Sequence, residues 1–306
     1  MDITVMGAGA VGCYFGARLS QAGHKVAFVA RGANLKALHK RGLAIKSTAG
    51  DLRLERVTAS DDPVSLPPPE LVLFTVKSQQ TRDAAERLAP ALPPKTPVLS
   101  LQNGVDNEEV LSEVLGEERI LGGVAYIEAT VDEPGVVEHK SPFARLEFGE
   151  LHGPPRARTE ALHKLFKEAG IDATLSANVL GVKWAKWLFI CAFSGVTALT
   201  RKPIGAVLAD PDTALLYQQV MQEIKALADA KGIALPGTIV AERMSFSRTQ
   251  LPPQMQSSLQ QDLAKGKPLE LEALNGYASR LGRELSVPTP VNDFIYAALK
   301  LHRHGS

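Results

Sequence analysis

"MGAGAVGCYFGARL", residues 6–19, decides the fold. Gly7, Gly9 and Gly12 form a G-x-G-x-x-G pattern between an apolar run, "ITVMG", and a helical stretch closed by Gly23. In a dinucleotide site each glycine has its own task. The first makes the tight turn, the second lets the backbone approach a pyrophosphate, and the third lets helix and strand pack closely. The helix start then offers free N–H groups and partial positive charge to phosphate oxygens. A strand–turn–helix without ligand is the alternative. The context favours the cradle: a strand precedes it, a helix follows, and a second strand, "KVAFVAR", comes next. Gly7, Ala8, Gly9, Ala10, Val11 and Gly12 are therefore the expected cofactor-binding turn.

The end of that second strand selects the nucleotide. NAD sites usually place Asp or Glu there to bond the ribose 2′-hydroxyl. This chain has Ala30 and Arg31, then Gly32 and Asn34. Arg31 can pair with a 2′-phosphate and stack on adenine, which points to NADPH; otherwise it is a surface charge. Further along, "LFTVKSQQT" and "LSLQNGVDNEEVL" place Lys77 and then Gln102, Asn103 and Gly104 at two strand ends. In a doubly wound sheet such ends line the ligand crevice, so Lys77 and Asn103 would face the nicotinamide half.

The first part of the chain alternates strand and helix, which argues for a parallel sheet with crossover helices. "LAIKST" and "LRLERVTA" read as a hairpin or an excursion about Ala49-Gly50, and the β-rich stretch around Glu133-Pro134-Gly135 would extend or close the sheet. After Asn178 the pattern is nearly all helical. Asp210-Pro211 reads as a helix start, Gly232 as its end, and Leu215, Leu216, Val220, Ile224 and Leu227 as its apolar face. The expected fold class is α/β: a Rossmann-type doubly wound sheet over residues 1–178, then an all-helical domain over residues 179–306.

Composition limits the function classes. The chain has 306 residues, room for about two domains. Its net charge of +1 gives no electrostatic reason to expect nucleic acid or an anionic membrane. Cys13 and Cys191 make neither a metal spacing nor a disulfide framework, which fits a reducing, cytoplasmic setting. No secretory signal is evident. The longest apolar run, "WLFICAFSGVTAL" at 187–199, is shorter than the roughly 20 residues of a membrane span and reads as a buried helix. No metal-ligand cluster is expected, and none of the histidines is assigned chemistry.

Beside that run lie Lys183 and Lys186. Three residues apart, they share one side of the helix, and Trp184 and Trp187 pair on the next. By spacing alone the lysines snorkel to water or serve a site. Ser257 and Ser258 read as helix-capping residues, and Glu270 as an exposed helix residue beside Glu272.

Taken together, "GAGAVGCYFGARL", Arg31, "TVKSQQT", "LQNGVDNEE", "KWAKW", "SSLQQD" and "LELEALNG" resemble the ketopantoate reductase (2-dehydropantoate 2-reductase) family over nearly the whole chain. The resemblance implies NADPH-dependent reduction of ketopantoate, a 2-oxo acid, to pantoate on the route to pantothenate and coenzyme A. It gives Lys186 the place of the catalytic lysine and Glu270 that of the acidic residue holding substrate. It places Ser258 at the substrate carboxylate and Lys77 and Asn103 on the cofactor side, with Asn103 and Ser194 also on the substrate side. The family usually carries two asparagines after the catalytic lysine. Here Ile190 and Ser194 stand there, which removes hydrogen-bonding capacity and bears on the acid recognised. Two alternatives are a reductase or dehydrogenase of another 2-oxo or 3-hydroxy acid, and a non-catalytic NADP(H) sensor. A homodimer through the helical domain is a further expectation, its faces lying at 215–227 and 294–301.

Overall fold

The computed structural model describes residues 1–305, apart from the side chain of Pro142. Two compact units divide between Val182 and Lys183. That division falls inside a helix, four residues beyond the sequence-based boundary at 178.

The first unit runs β1 (Asp2–Met6), α1 (Ala10–Gln21), β2 (Lys25–Val29), α2 (Gly32–Arg41), β3 (Leu43–Ser47), β4 (Leu52–Leu54), β5 (Thr58–Ser60), β6 (Leu71–Phe74), α3 (Thr81–Leu88), β7 (Val98–Ser100), α4 (Asn107–Leu115), β8 (Ile120–Glu133), β9 (Val136–Glu150), α5 (Ala157–Glu168) and β10 (Asp172–Leu175). Strands β5-β2-β1-β6-β7-β8 lie side by side, all parallel. This is the dinucleotide-binding order, reversing between β1 and β6. Alternate strand residues enter two cores. Ile3, Val5, Val26, Phe28, Leu71 and Leu73 pack with α1 and α5. Met6, Ala27, Val29, Val72 and Phe74 pack with α3 and α4. Burial on both faces explains why "KVAFV" and "LVLF" are continuous apolar runs rather than alternating ones.

The hairpin β8–β9 turns at Pro134-Gly135, where Gly135 has φ +79°. The first half of β9 pairs with β3 and the second half with β10, so the hairpin extends the sheet to ten strands. "LRLERVTA", expected as one strand, is two. Its first part, β4, forms one edge of the sheet, and its last part, β5, forms the opposite edge. Only residues 55–57 separate them, so the chain brings the two edges within about 15 Å. The sheet must therefore curl, and α1 packs against β1, β2, β3, β4, β8 and β9. That enclosure accounts for α1 being apolar nearly all round, with residues 12–17 buried in succession.

The helices of the second unit are α6 (Val179–Thr200, whose first turn belongs to the first unit), α7 (Ile204–Ala209), α8 (Pro211–Ala230), α9 (Ile239–Thr249), α10 (Ser258–Ala264), α11 (Asn275–Leu285) and α12 (Pro290–Leu299). Asn178 caps α6 through its Oδ1, which accepts from Gly181 N at 3.0 Å. Asp210 caps α8 by accepting from Thr213 N at 2.9 Å. Ile233 N donates to Ala228 O and Gly232 N to Asp229 O, closing α8 at the expected glycine. The buried face of α8 is Ala214, Tyr217, Val220, Met221, Ile224, Leu227 and Ala228. Leu215, expected in that face, is 52% exposed: Tyr217 and Met221 continue the 3.6-residue stripe, and Leu215 falls off it. At 22 residues α6 is long and apolar enough to cross a membrane. Its length therefore does not exclude a span; about two-thirds of its most apolar window is buried within the protein, which marks it as a core helix.

Candidate active site

The glycine turn sits where β1 ends, beside the end of β6. Gly7 has φ +107°, and a Cβ there would lie 2.8 Å from Val76 N. A Cβ on Gly12 would lie 2.4 Å from both Gly7 O and Thr75 Oγ1. Gly9 differs, since a Cβ there would meet nothing within 4 Å. Two glycines are thus required by the protein's own packing. The third keeps space open at the start of α1, whose first turn carries no acidic residue. Open backbone at a helix start without carboxylates suits a pyrophosphate, so the residues fit a dinucleotide.

Side chains that sequence reasoning passed over hold this turn. Thr75 Oγ1 donates to Gly7 O at 2.7 Å. Asn34 Nδ2 donates to Ala8 O at 2.7 Å, and Asn34 Oδ1 accepts from Gly135 N at 2.8 Å. The signal for Asn34 was its place just past the second strand, but its partners lie 26 and 101 residues away. Arg31 caps α2 by position. It is exposed, and its guanidinium makes no hydrogen bond or ion pair among the described residues.

The loops after β6 and β7 are tied together. Asn103 O accepts from Ser78 Oγ at 2.8 Å and from Asn107 Nδ2 at 2.7 Å. Gln102 Nε2 donates to Val76 O and to Thr81 Oγ1. This network brings the Lys77 loop against the Asn103 loop; Lys77 is exposed and Asn103 half-buried.

The second unit carries Lys183, Lys186 and Glu270. Trp184 and Trp187 meet edge to face at 5.1 Å, and Trp187 Nε1 donates to Ala273 O at 3.0 Å. That bond fixes the rotation of α6 against the turn bearing Glu270. Lys183, Lys186, Ile190, Ser194 and Thr197 recur three or four residues apart and share another face. Lys183 is only 3% exposed, so it does not snorkel as spacing alone suggested. Lys186 is half-buried. Burial, then the charge of Lys183, lower its pKa from 10.5 to about 8, and Glu270 opposes them. Glu270 opens a short 3₁₀ turn and is half-buried rather than exposed; its neighbour Glu272 binds Arg280 and Tyr296.

Ser194 is buried. Ser257 is the N-cap of α10, accepting from Gln260 N at 3.1 Å and lying 2.8 Å from Thr197 Oγ1. Ser258 follows it as an exposed first-turn residue. Cys13 and Cys191 are buried free thiols; burial pushes Cys13 up to about 12 and Cys191 well up.

A glycine turn that fits a dinucleotide on a parallel sheet, followed by a helical unit with a half-buried lysine of lowered pKa, suits an oxidoreductase. Family comparison specifies it. Residues 3–153 match the ketopantoate reductase PanE/ApbA model and residues 178–303 match its C-terminal counterpart. The chain belongs to the ketopantoate reductase family. It is 30% identical to an uncharacterized oxidoreductase, YkpB, of Bacillus subtilis over 99% of both chains. It is 29% identical to the 2-dehydropantoate 2-reductase of Mesorhizobium japonicum over 98% of this chain and 97% of that one. The PanE/ApbA family ketopantoate reductase of Ralstonia eutropha superposes with a TM-score of 0.91 at 35% identity, covering 99% and 98% of the two chains. D-mandelate dehydrogenase also superposes at 0.91, but at 21% identity it shares the fold alone.

Proposed function

We propose that this oxidoreductase reduces a 2-oxo acid with NADPH, and that ketopantoate, giving pantoate, is the foremost substrate. The observation carrying the reading is Lys186: a half-buried cation, its pKa lowered to about 8, coupled to Glu270 on an otherwise apolar helix. NADPH, when bound, supplies the hydride to the ketone carbon. The turn from Gly7 to Gly12 receives the pyrophosphate, and exposed Arg31 receives the 2′-phosphate. Lys77 and Asn103 serve the nicotinamide side.

Lys186 as ammonium donates a hydrogen bond to the ketone oxygen, stabilises the negative charge that grows there and passes it a proton. The products are the 2-hydroxy acid, the oxidised cofactor and a neutral lysine, which is reprotonated from solvent. Glu270, ionised, accepts a bond from a substrate hydroxyl and favours the charged form of Lys186. Ser194 and Ser258 bind the substrate, Ser258 at the carboxylate. The cytoplasm is the proposed setting. A homodimer is the proposed assembly, and exposed Phe294 and Leu301 on and just beyond α12 are its candidate contacts.

Half-buried Ile190 favours a second reading, a 2-oxo acid with a different substituent, because it offers an apolar surface where the family usually has an amide. The test is a panel of 2-oxo acids with NADPH and with NADH, on wild type and Lys186→Ala. Turnover of ketopantoate by wild type and a loss of about 10²-fold or more in the variant are expected. NADPH binding with no acid reduced would overturn the reading in favour of a sensor.

A further inference from the structure

On the second unit, the polar stripe of α6 continues past Lys186 to Ser194 and Thr197. Thr197 Oγ1 and Ser257 Oγ are 2.8 Å apart, and Ser257 Oγ accepts from Gln260 N at 3.1 Å. This chain of bonds seats the first turn of α10 against the Ser194 end of the stripe. One buried polar atom there has nothing to bond. Gln260 is 5% exposed, and its Oε1 has no hydrogen-bond partner. Ser194 is also 5% exposed, and its hydroxyl makes no hydrogen bond among the described residues. Ser257 and Thr197, which bond each other, are satisfied. Buried amides in native proteins are nearly always bonded, so an unpaired amide oxygen on α10, the helix that Ser257 ties to this stripe, is a group that a ligand can complete.

We propose that Gln260 is a specificity-determining residue that binds a hydroxyl on the chain of the 2-oxo acid, with Ser194 beside it. The proposal rests on the reading of the protein as a 2-oxo acid reductase. A hydroxyl is the fitting partner: its proton goes to Glu270, and its oxygen accepts from the Gln260 amide turned to present its nitrogen at the unpaired position. The residue also answers the missing amides on α6: Ile190 offers no hydrogen bond and Ser194 is short, and Gln260 restores an amide from the neighbouring helix. A side chain needed only for packing at this site would be apolar, like Leu259 beside it, which is 2% exposed.

The test uses two acids that differ by one hydroxyl, ketopantoate and its deoxy analogue 3,3-dimethyl-2-oxobutanoate. Wild type is compared with Gln260→Met and Gln260→Leu, which keep bulk and remove the amide. The expected result is a fall of about tenfold or more in kcat/KM for ketopantoate, and a change within about twofold for the deoxy acid, since only the hydroxyl bond is lost. Thermal unfolding should show no loss of stability. An equal fall for both acids, or no fall for either, overturns the proposal. If wild type reduces neither acid, the functional reading fails separately. Calorimetric binding of the two corresponding 2-hydroxy acids then decides: weakening confined to the hydroxyl-bearing acid upholds the role of Gln260, and equal affinities in wild type and variants overturn it.

Discussion

The pH dependence of reduction is the most direct test of the lysine pair. Lys186 titrates near 8 because burial lowers it first and the Lys183 charge second, with Glu270 pulling the other way. In the proposed mechanism reduction needs the ammonium form. With a pKa of about 8, roughly ten in eleven molecules carry the proton at pH 7 and roughly one in eleven at pH 9. kcat/KM for reduction should therefore be flat below pH 7, then fall about tenfold between pH 7 and 9. Oxidation of the 2-hydroxy acid needs the neutral amine and should rise over the same interval. Side chains three apart on a helix start about 5–6 Å apart at Cβ. Two like charges some 7 Å apart, at an effective dielectric between protein and water, repel by on the order of 1 kcal/mol, or about one pH unit. Lys183→Met should accordingly move the falling limb up by about one unit, and Glu270→Gln should move it down. Steady-state rates in overlapping buffers, normalised to each variant's own plateau, separate these shifts from losses in amplitude. A wild-type profile flat to pH 10, or a limb unmoved in Lys183→Met, would refute the assignment of Lys186 as the titrating acid.

Three further outcomes follow from the same geometry. The folded pKa of Lys186 lies below its unfolded value of 10.5, so the unfolded chain holds more protons between about 8 and 10.5 and stability rises with pH across that window. Lys186→Met should thus unfold later than wild type at pH 7, by about 1–3 kcal/mol, and lose the advantage near pH 10.5, as read by thermal melts at both pH values. Gly9→Ala should keep the wild-type melting temperature and weaken NADPH binding, because the added methyl enters the open cradle, whereas Gly12→Ala should lower stability by about 2 kcal/mol or more; equal melting temperatures for the two variants would contradict the packing argument. Arg31→Asp should weaken NADPH by about 10- to 100-fold and leave or improve NADH, and calorimetry with both nucleotides that showed equal losses would remove Arg31 from the phosphate site.

What sequence conveyed here was local. Gly23, Gly42 and Gly232 ended helices where the pattern placed them, and the apolar strands announced a sheet buried on both faces. What it missed depends on pairing across long separations. Nothing in "LRLERVTA" says that its two ends join opposite edges of a sheet, because that follows from β9 pairing at once with β3, β8 and β10. Leu215 was misassigned because the apolar pattern of α8 fits two overlapping stripes, and only packing selects the one through Tyr217 and Met221. On the site, residue types at strand ends and on α6 were visible. The supports, Thr75 to Gly7 and Asn34 between Ala8 and Gly135, were not, since a Thr or Asn in a loop has many bland uses until its partner is known.

The placement of polar groups on α6 carries the last step. A helix selected only to fill a core would hold Leu or Val at 183, 186 and 194. Instead Lys183 and Ser194 are buried and Lys186 is half-buried, and all three fall on one face. At Lys186 this placement opposes the charged form twice, by desolvation and by repulsion from Lys183 one turn away. Glu270 relieves part of that cost at Lys186, while the other faces of α6 pack conventionally, through Trp184 and Trp187 on one side and Phe189 and Phe193 on another. Local rules are therefore broken along a single stripe and kept around it. A random accumulation of tolerated polar substitutions would scatter around the helix. A site that needs a poised proton donor would concentrate them, and Gln260 on α10, whose Oε1 is unpaired, extends that concentration to the neighbouring helix.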